Sequence, residues 1–244
     1  AYYSSSTSSL THAYVAGRNS PTDINIEKYQ FSTDATVAST LVGVLTTVKH
    51  SNGGVSAENY GYSTGGTNGT VVQNIIQKYS FSSDGNATSV GNLLAVNMYN
   101  TGNSSVDYGY VSAGWSGSVV LGGIQKFPFA ADTSSTSVGT LTVTRGLYAA
   151  GTNSTQYGYV AGGYTGSVGS NVIDKFPFAA DASATDVGDL TITTYYTTGT
   201  SNPTHGYIAG GSAPAATNVI QKHSFSADGN APSVGNLPLQ ATNG

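Results

Sequence analysis

The side chains best equipped for chemistry are four histidines, at positions 12, 50, 205 and 223, and twelve carboxylates set against eight lysines and arginines. General acid–base work needs such groups within hydrogen-bond reach of one another, and nucleophilic work needs a base beside the nucleophile. Neither constellation is evident here. His12 and His205 occupy a recurring slot that elsewhere holds Tyr60, Tyr108 and Tyr157, which points to packing in or near the core. His50 and His223 fall in different slots, with nothing in the sequence to pair them. No His-Glu-x-x-His pattern and no phosphate-binding glycine loop occurs. With no cysteine in the chain, disulfides, cysteine-ligated zinc and thiol catalysis are excluded. The expectation is a protein that is not an enzyme, with no metal and no cofactor.

One charged pattern is systematic. A lysine is followed six residues later by an aspartate at Lys28/Asp34, Lys78/Asp84, Lys126/Asp132, Lys175/Asp181 and Lys222/Asp228. The aspartates open turn sequences such as "DGNA" and "DASA", where a carboxylate accepts backbone N–H groups. The reading favoured is a structural turn that the lysine helps to satisfy, with repeated metal or ligand sites as the alternative. An exposed Lys–Asp pair contributes only about 0–1 kcal/mol.

The elements that must hold these groups are themselves repeated. "HAYVAGR" at 12, "YGYSTGG" at 60, "YGYVSAG" at 108, "YGYVAGG" at 157 and "HGYIAGG" at 205 follow one another at steps of 48, 48, 49 and 48. "AYYSSSTSSLTH" at the start matches "TYYTTGTSNPTH" at 194–205 without a gap, so five units make a cycle whose ends meet at one seam. Each unit divides into four strands: a polar Gly-rich one, one alternating into a double glycine, one ending on aromatics, and a short one. β-Branched and aromatic residues bounded by Gly, Asn and Asp support strands, and no segment carries a helical period. A period of 40–50 residues with several strands per unit signals a β-propeller. The predicted fold is all-β, a single five-bladed β-propeller of four-stranded antiparallel blades. The blades fall at about 1–45, 46–94, 95–142, 143–191 and 192–244, with no strongly interleaved closing strand.

The strand order resembles the kelch repeat. The matching residues are the pairs Gly65-Gly66, Gly162-Gly163 and Gly210-Gly211, and the aromatics Tyr29, Tyr79, Phe127, Phe176 and His223. It departs where kelch repeats carry a tryptophan on strand four, for Val-Gly pairs stand there at 90, 138, 187 and 234. Copper oxidases with kelch-like blades need a Cys–Tyr crosslink, which this chain cannot make. The phrase "NVIDKFPFAADASATDVGDL" also resembles repeats of marine bacteriophage virion-associated proteins.

In a kelch-like blade the loops joining strands two and three share a face with those joining strand four to the next blade. The first set varies freely after each double glycine, and loops on a rigid scaffold are where recognition resides. It carries Arg18, the only tryptophan, Trp115, and Tyr164, while the second set carries Lys49 and Arg145. An exposed aromatic flanked by Asn, Ser and Gly suits a sugar ring, which stacks while short polar groups meet its hydroxyls. The competing reading has Trp115 and Tyr164 covering the core beneath their loops. Trp115, Tyr164, Arg145, Arg18 and Lys49 are thus the candidate ligand residues.

Composition narrows the partners. Charged residues are 8% of the chain, against roughly 25% in an average domain, and the net charge is −4. Eight scattered basic residues give no footprint for nucleic acid. No apolar run approaches the roughly 20 residues of a membrane span, so membrane insertion is not expected. The start at Ala1 suggests processing or excision from a longer protein. The function expected is a non-enzymatic binding module for a glycan or host-surface polysaccharide, in an extracellular or virion-surface setting. A structural or spacer domain contacting other virion proteins is the alternative, and a glycan-processing enzyme the minor one.

Overall fold

Alternation of side chains across each strand decides which residues are buried, and the repeat then multiplies the solution. The computed structural model describes residues 4–18, 23–32, 38–212 and 215–241. Among them there is no helix, and twenty strands form five antiparallel sheets of four, each a simple meander. Blade 1 holds β1 (Ser5–Ser8), β2 (His12–Ala16), β3 (Asn25–Gln30) and β4 (Thr40–Val44). Blade 2 holds β5 (Gly53–Ser56), β6 (Tyr60–Thr64), β7 (Ile75–Ser80) and β8 (Thr88–Asn92). Blade 3 holds β9 (Thr101–Ser104), β10 (Tyr108–Ser112), β11 (Gly123–Pro128) and β12 (Thr136–Thr140). Blade 4 holds β13 (Ala150–Asn153), β14 (Tyr157–Ala161), β15 (Ser170–Pro177) and β16 (Thr185–Thr194). Blade 5 holds β17 (Thr198–Ser201), β18 (His205–Ala209), β19 (Thr217–Ser224) and β20 (Ser233–Ala241). The arrangement is the five-bladed β-propeller expected from the repeat. Every sheet takes its strands from one continuous stretch, so no strand is exchanged across the seam.

Blades adhere through aromatic side chains. Tyr14, Tyr62, Tyr110 and Tyr159, on the second strands, are each 1% exposed. They stack on Phe81, Phe129, Phe178 and Phe225 of the following blade at 4.6, 5.2, 4.8 and 5.1 Å. Each also meets the aromatic of that blade's third strand: Tyr79, Phe127, Phe176 or His223. Such ring pairs contribute about 0.5–1.5 kcal/mol each beyond the area they bury. The inner strand supplies a matching neighbour. Thr7 bonds the Tyr79 hydroxyl at 2.7 Å and Thr152 bonds His223 Nε2 at 2.9 Å, whereas Val55 shares a cluster with Phe127. The polar aromatics Tyr79 and His223 thus meet a hydroxyl and Phe127 meets a methyl, while the slot facing Phe176 holds Asn103, whose amide donates to the Thr152 carbonyl at 2.8 Å.

The repeated charges also join blades. Lys28, Lys78, Lys126 and Lys175 bond Asp84, Asp132, Asp181 and Asp228 at 2.6, 2.6, 2.5 and 2.7 Å. Each of these lysines reaches the next blade's aspartate, and among the described residues these carboxylates accept no turn N–H. This corrects the expectation of a self-contained Asx-turn. The first turn's Asp34 lies outside the described residues. Because the carboxylates of the last three pairs are about half exposed, each such link is worth at most about 1 kcal/mol.

The double glycine is a docking point for the next linker. The N–H groups of Gly66, Gly114 and Gly163 donate to the carbonyls of Asn97, Arg145 and Thr194 at 2.8, 3.1 and 2.7 Å. The first member of the pair takes a left-handed φ, 60° at Gly65 and 68° at Gly162, but in blade 3 that place is held by Ala113 at 58°. A side chain there costs about 1–2 kcal/mol. Ala113→Gly relieves this strain but removes a fully buried core methyl, about 0.8 kcal/mol, and loosens the unfolded chain by about 0.4–1 kcal/mol. We expect the terms to cancel to within about 0.5 kcal/mol, read by calorimetry as a Tm unchanged to within about 2 °C.

Candidate functional site

The inner strands stand around the axis, and glycine lets them approach. A Cβ on Gly54, Gly102, Gly151 or Gly199 would land against the backbone carbonyl of the preceding inner strand. The space they enclose is a channel of about 430 Å³ lined mostly by Ser, Thr, Asn and Gly, including Ser6, Ser56, Ser104, Asn153 and Thr200. Among the described residues no charged side chain lines it.

At the end where the inner strands begin, the linkers from the preceding blades place an aromatic collar. Ser51, Tyr99, Tyr148 and Tyr196 occupy one repeat slot and all have left-handed φ, 57°, 57°, 54° and 56°. For a bulky residue that conformation is an outlier, and such strain gathers at functional sites. Tyr99 and Tyr148 meet edge to face at 5.1 Å, and Tyr148 and Tyr196 lie 6.0 Å apart. Tyr195 continues the path at 5.2 Å from Tyr196, and Tyr164 completes it at 5.3 Å from Tyr195. Five tyrosines thus run in ring contact from a variable loop of blade 4 to the axis, with Tyr148 lining the channel itself.

The candidate residues divide. Trp115 and Tyr164 are half-buried, and their backbones are clamped: Trp115 exchanges two bonds with Met98, at 2.8 and 2.9 Å, and Tyr164 two with Gly146, both at 2.8 Å. Arg18 is committed to Glu27, with Asp23 at 3.8 Å. Lys49 and Arg145 are not on a face at all, because both side chains are fully buried. Arg145 donates to the Val160 carbonyl and to Asp174, each at 2.9 Å. Burial pulls its pKa down while Asp174 pulls it up. Lys49 donates to the Ile75 carbonyl at 3.2 Å, and burial lowers its pKa to about 7. The linker carrying them dives beneath the neighbouring Gly-Gly turn, which removes both from any recognition surface.

The histidines are structural in setting. His12 and His205 are half-buried, and their Nδ1 atoms bond Thr11 and Thr204 at 2.8 Å. His50 bonds Ser51 through Nδ1 at 2.9 Å. His223, sealed between blades 4 and 5, is held down to about pKa 4 by burial. The string Gly-Tyr-Ser-Thr-Gly at 61–65 has nucleophile-elbow spacing. Yet Ser63 is buried mid-strand in β6, and its Oγ accepts the Asn52 amide at 2.6 Å. An elbow needs an exposed serine at a strand-to-helix turn. Among the described residues no group of three or more His, Asp or Glu could hold a metal ion.

The collar had a signal: tyrosine recurs at 3, 99, 148 and 196 in register, although Tyr3 lies outside the described residues. Fold and site together define the class, an all-β five-bladed propeller with an aromatic-rimmed polar axis. No protein-family model matches the chain, and no curated protein matches it significantly.

Proposed function

We propose that the chain is a non-enzymatic binding module that takes a glycan or host-surface polysaccharide on the collar face, in an extracellular or virion-surface setting. The observation carrying this reading is the tyrosine path from Tyr164 through Tyr148 to the axis, rimming a channel without charge. Sugar rings stack through C–H faces on aromatics, and their hydroxyls exchange hydrogen bonds with short polar side chains. Ser, Thr and Asn on the channel wall supply such partners. The compositional and repeat resemblance to phage virion proteins supports the setting.

A glycan array followed by titration tests it. Tyr148→Ala is expected to weaken binding about tenfold, or ~1.4 kcal/mol, and Trp115→Ala by less, as it lies further from the axis. Failure to bind any surface polysaccharide counts against the reading. The second reading, a structural domain within a larger virion assembly, draws support from the exposed Tyr29 and Phe31 of blade 1 and Val234 and Leu239 of blade 5.

A further inference from the structure

The space along the axis is deep and narrow. Its wall runs five residues down, from Asn52 to Ser56 and from Asn100 to Ser104, which is about 16 Å at roughly 3.3 Å per residue. A volume of about 430 Å³ spread over that depth leaves an opening about 6 Å across, the width of a single sugar ring. Gly54, Gly102, Gly151 and Gly199 hold it to this width, because each lets its strand close on the carbonyl of the one before.

The two ends of the channel differ. At the collar end the rings gather on one side: Tyr99, Tyr148 and Tyr196 form a triangle with centroids 5.1, 6.0 and 6.5 Å apart. Blade 2 puts no ring over the mouth, since Ser51 takes its slot and is fully buried. Asn52 and Gly53 line the wall below that slot. At the far end neighbouring strands are tied together, for Ser8 and Asn153 each donate a backbone N–H to the serine of the next inner strand, Ser56 and Ser201, at 3.0 Å.

A residue in the middle of a polymer carries chain away on both sides and cannot turn into so narrow a well. A chain end can. A carboxylate or ammonium entering it loses hydration, and among the described residues no charged side chain on the wall compensates. Hydroxyls do find partners, in Ser56, Thr101, Ser104 and Thr198 and in the inner strands' unpaired backbone edges.

We propose that the channel is an end-recognition site, taking the uncharged terminal residue of an unbranched polysaccharide while the next residue stacks on Tyr148 at the mouth. This rests on the glycan reading of the collar and narrows it to a neutral chain end.

Competition against the polysaccharide selected on the array tests it with two probes. The first is that polysaccharide after partial hydrolysis, which multiplies chain ends at constant mass; competition per gram is expected to rise with the number of ends. The second is glucose, galactose and mannose, each paired with its uronate, which differs only in carrying a carboxylate for the hydroxymethyl group. The neutral member of at least one pair is expected to compete, and to do so about tenfold or more better than its uronate. Ser104→Trp adds bulk at the far end and leaves every tyrosine in place, and it is expected to abolish competition by the free sugars. Equal competition per gram by intact and hydrolysed chains overturns the proposal. So does a neutral sugar no better than its uronate, the failure of all three neutral sugars, or a folded Ser104→Trp chain that binds as the wild type does. Each of those results leaves glycan binding itself standing, whereas a wild type that binds no polysaccharide removes both. The two wild-type competitions decide alone if Ser104→Trp does not fold.

Discussion

Asp174→Asn destabilises the protein by about 3–5 kcal/mol, the loss found when one partner of a buried ion pair is removed. Asp174 and Arg145 are both fully buried. The carboxylate also accepts the Thr142 N–H at 3.0 Å and hydroxyl at 2.5 Å, so it ties the linker entering blade 4 to that blade's third strand. An amide keeps the shape and some of these bonds but leaves the guanidinium charge uncompensated. Other blades solve the same joint without charge. Gln125 accepts the Leu94 N–H at 2.8 Å in a blade whose linker carries Asn97, and Gln221 accepts the Thr191 N–H at 2.5 Å with Thr194. The double variant Arg145→Asn with Asp174→Gln transplants the blade 3 set and is expected to recover most of the loss. Urea unfolding of both singles and the double gives the coupling between the two sites. Additive losses would show that the pair does not act as a unit.

That pair also shows where sequence reasoning stops. The period and the strand phrases were legible because packing between blades repeats, so each position recurs with its environment. The aromatics Tyr79, Phe127, Phe176 and His223 could be placed in one slot before any coordinates. What they touch could not, for a lysine lies six residues from one aspartate and 53–56 from another with equal regularity. Lys49 and Arg145 misled for a related reason: charge in a linker is normally solvated. Their burial was hinted at only by the slot, which elsewhere holds Asn97 and Thr194, and by the acid at Asp174 where blades 2, 3 and 5 have Gln77, Gln125 and Gln221. The collar was visible as recurring tyrosine, but the left-handed backbone that turns those rings toward the axis leaves no mark in a pattern of residue types.

Blade 2 has the same joint with its charges unbalanced, and this predicts an alkaline rise in stability. Gln77 stands where blade 4 has Asp174, and it accepts the Thr46 N–H at 2.7 Å. The buried Lys49 beside it therefore has no carboxylate, and desolvation lowers its pKa from 10.5 to about 7. Between those two values the unfolded chain binds one more proton than the folded one, so stability rises with pH. For one group the slope is about 1.4 kcal/mol per pH unit. Below pH 7 both states are protonated and the contribution is flat. Above pH 10 the tyrosines reverse it, since burial pushes Tyr159 up to about 12 and Tyr79 higher still while the unfolded chain ionises. Lys49→Met removes the slope. The lysine's displacement corresponds to about 4–5 kcal/mol, and losing its charged bond to the Ile75 carbonyl, which still accepts the Gly65 N–H at 3.1 Å, takes back about 1.5–3. We expect a gain near 2–3 kcal/mol at neutral pH. Gln77→Asp reaches the same flat profile by the opposite route, because a carboxylate beside Lys49 restores its charge. Denaturation midpoints from pH 6 to 10 check both variants, and a wild-type profile without a rise would show that Lys49 keeps its proton when buried.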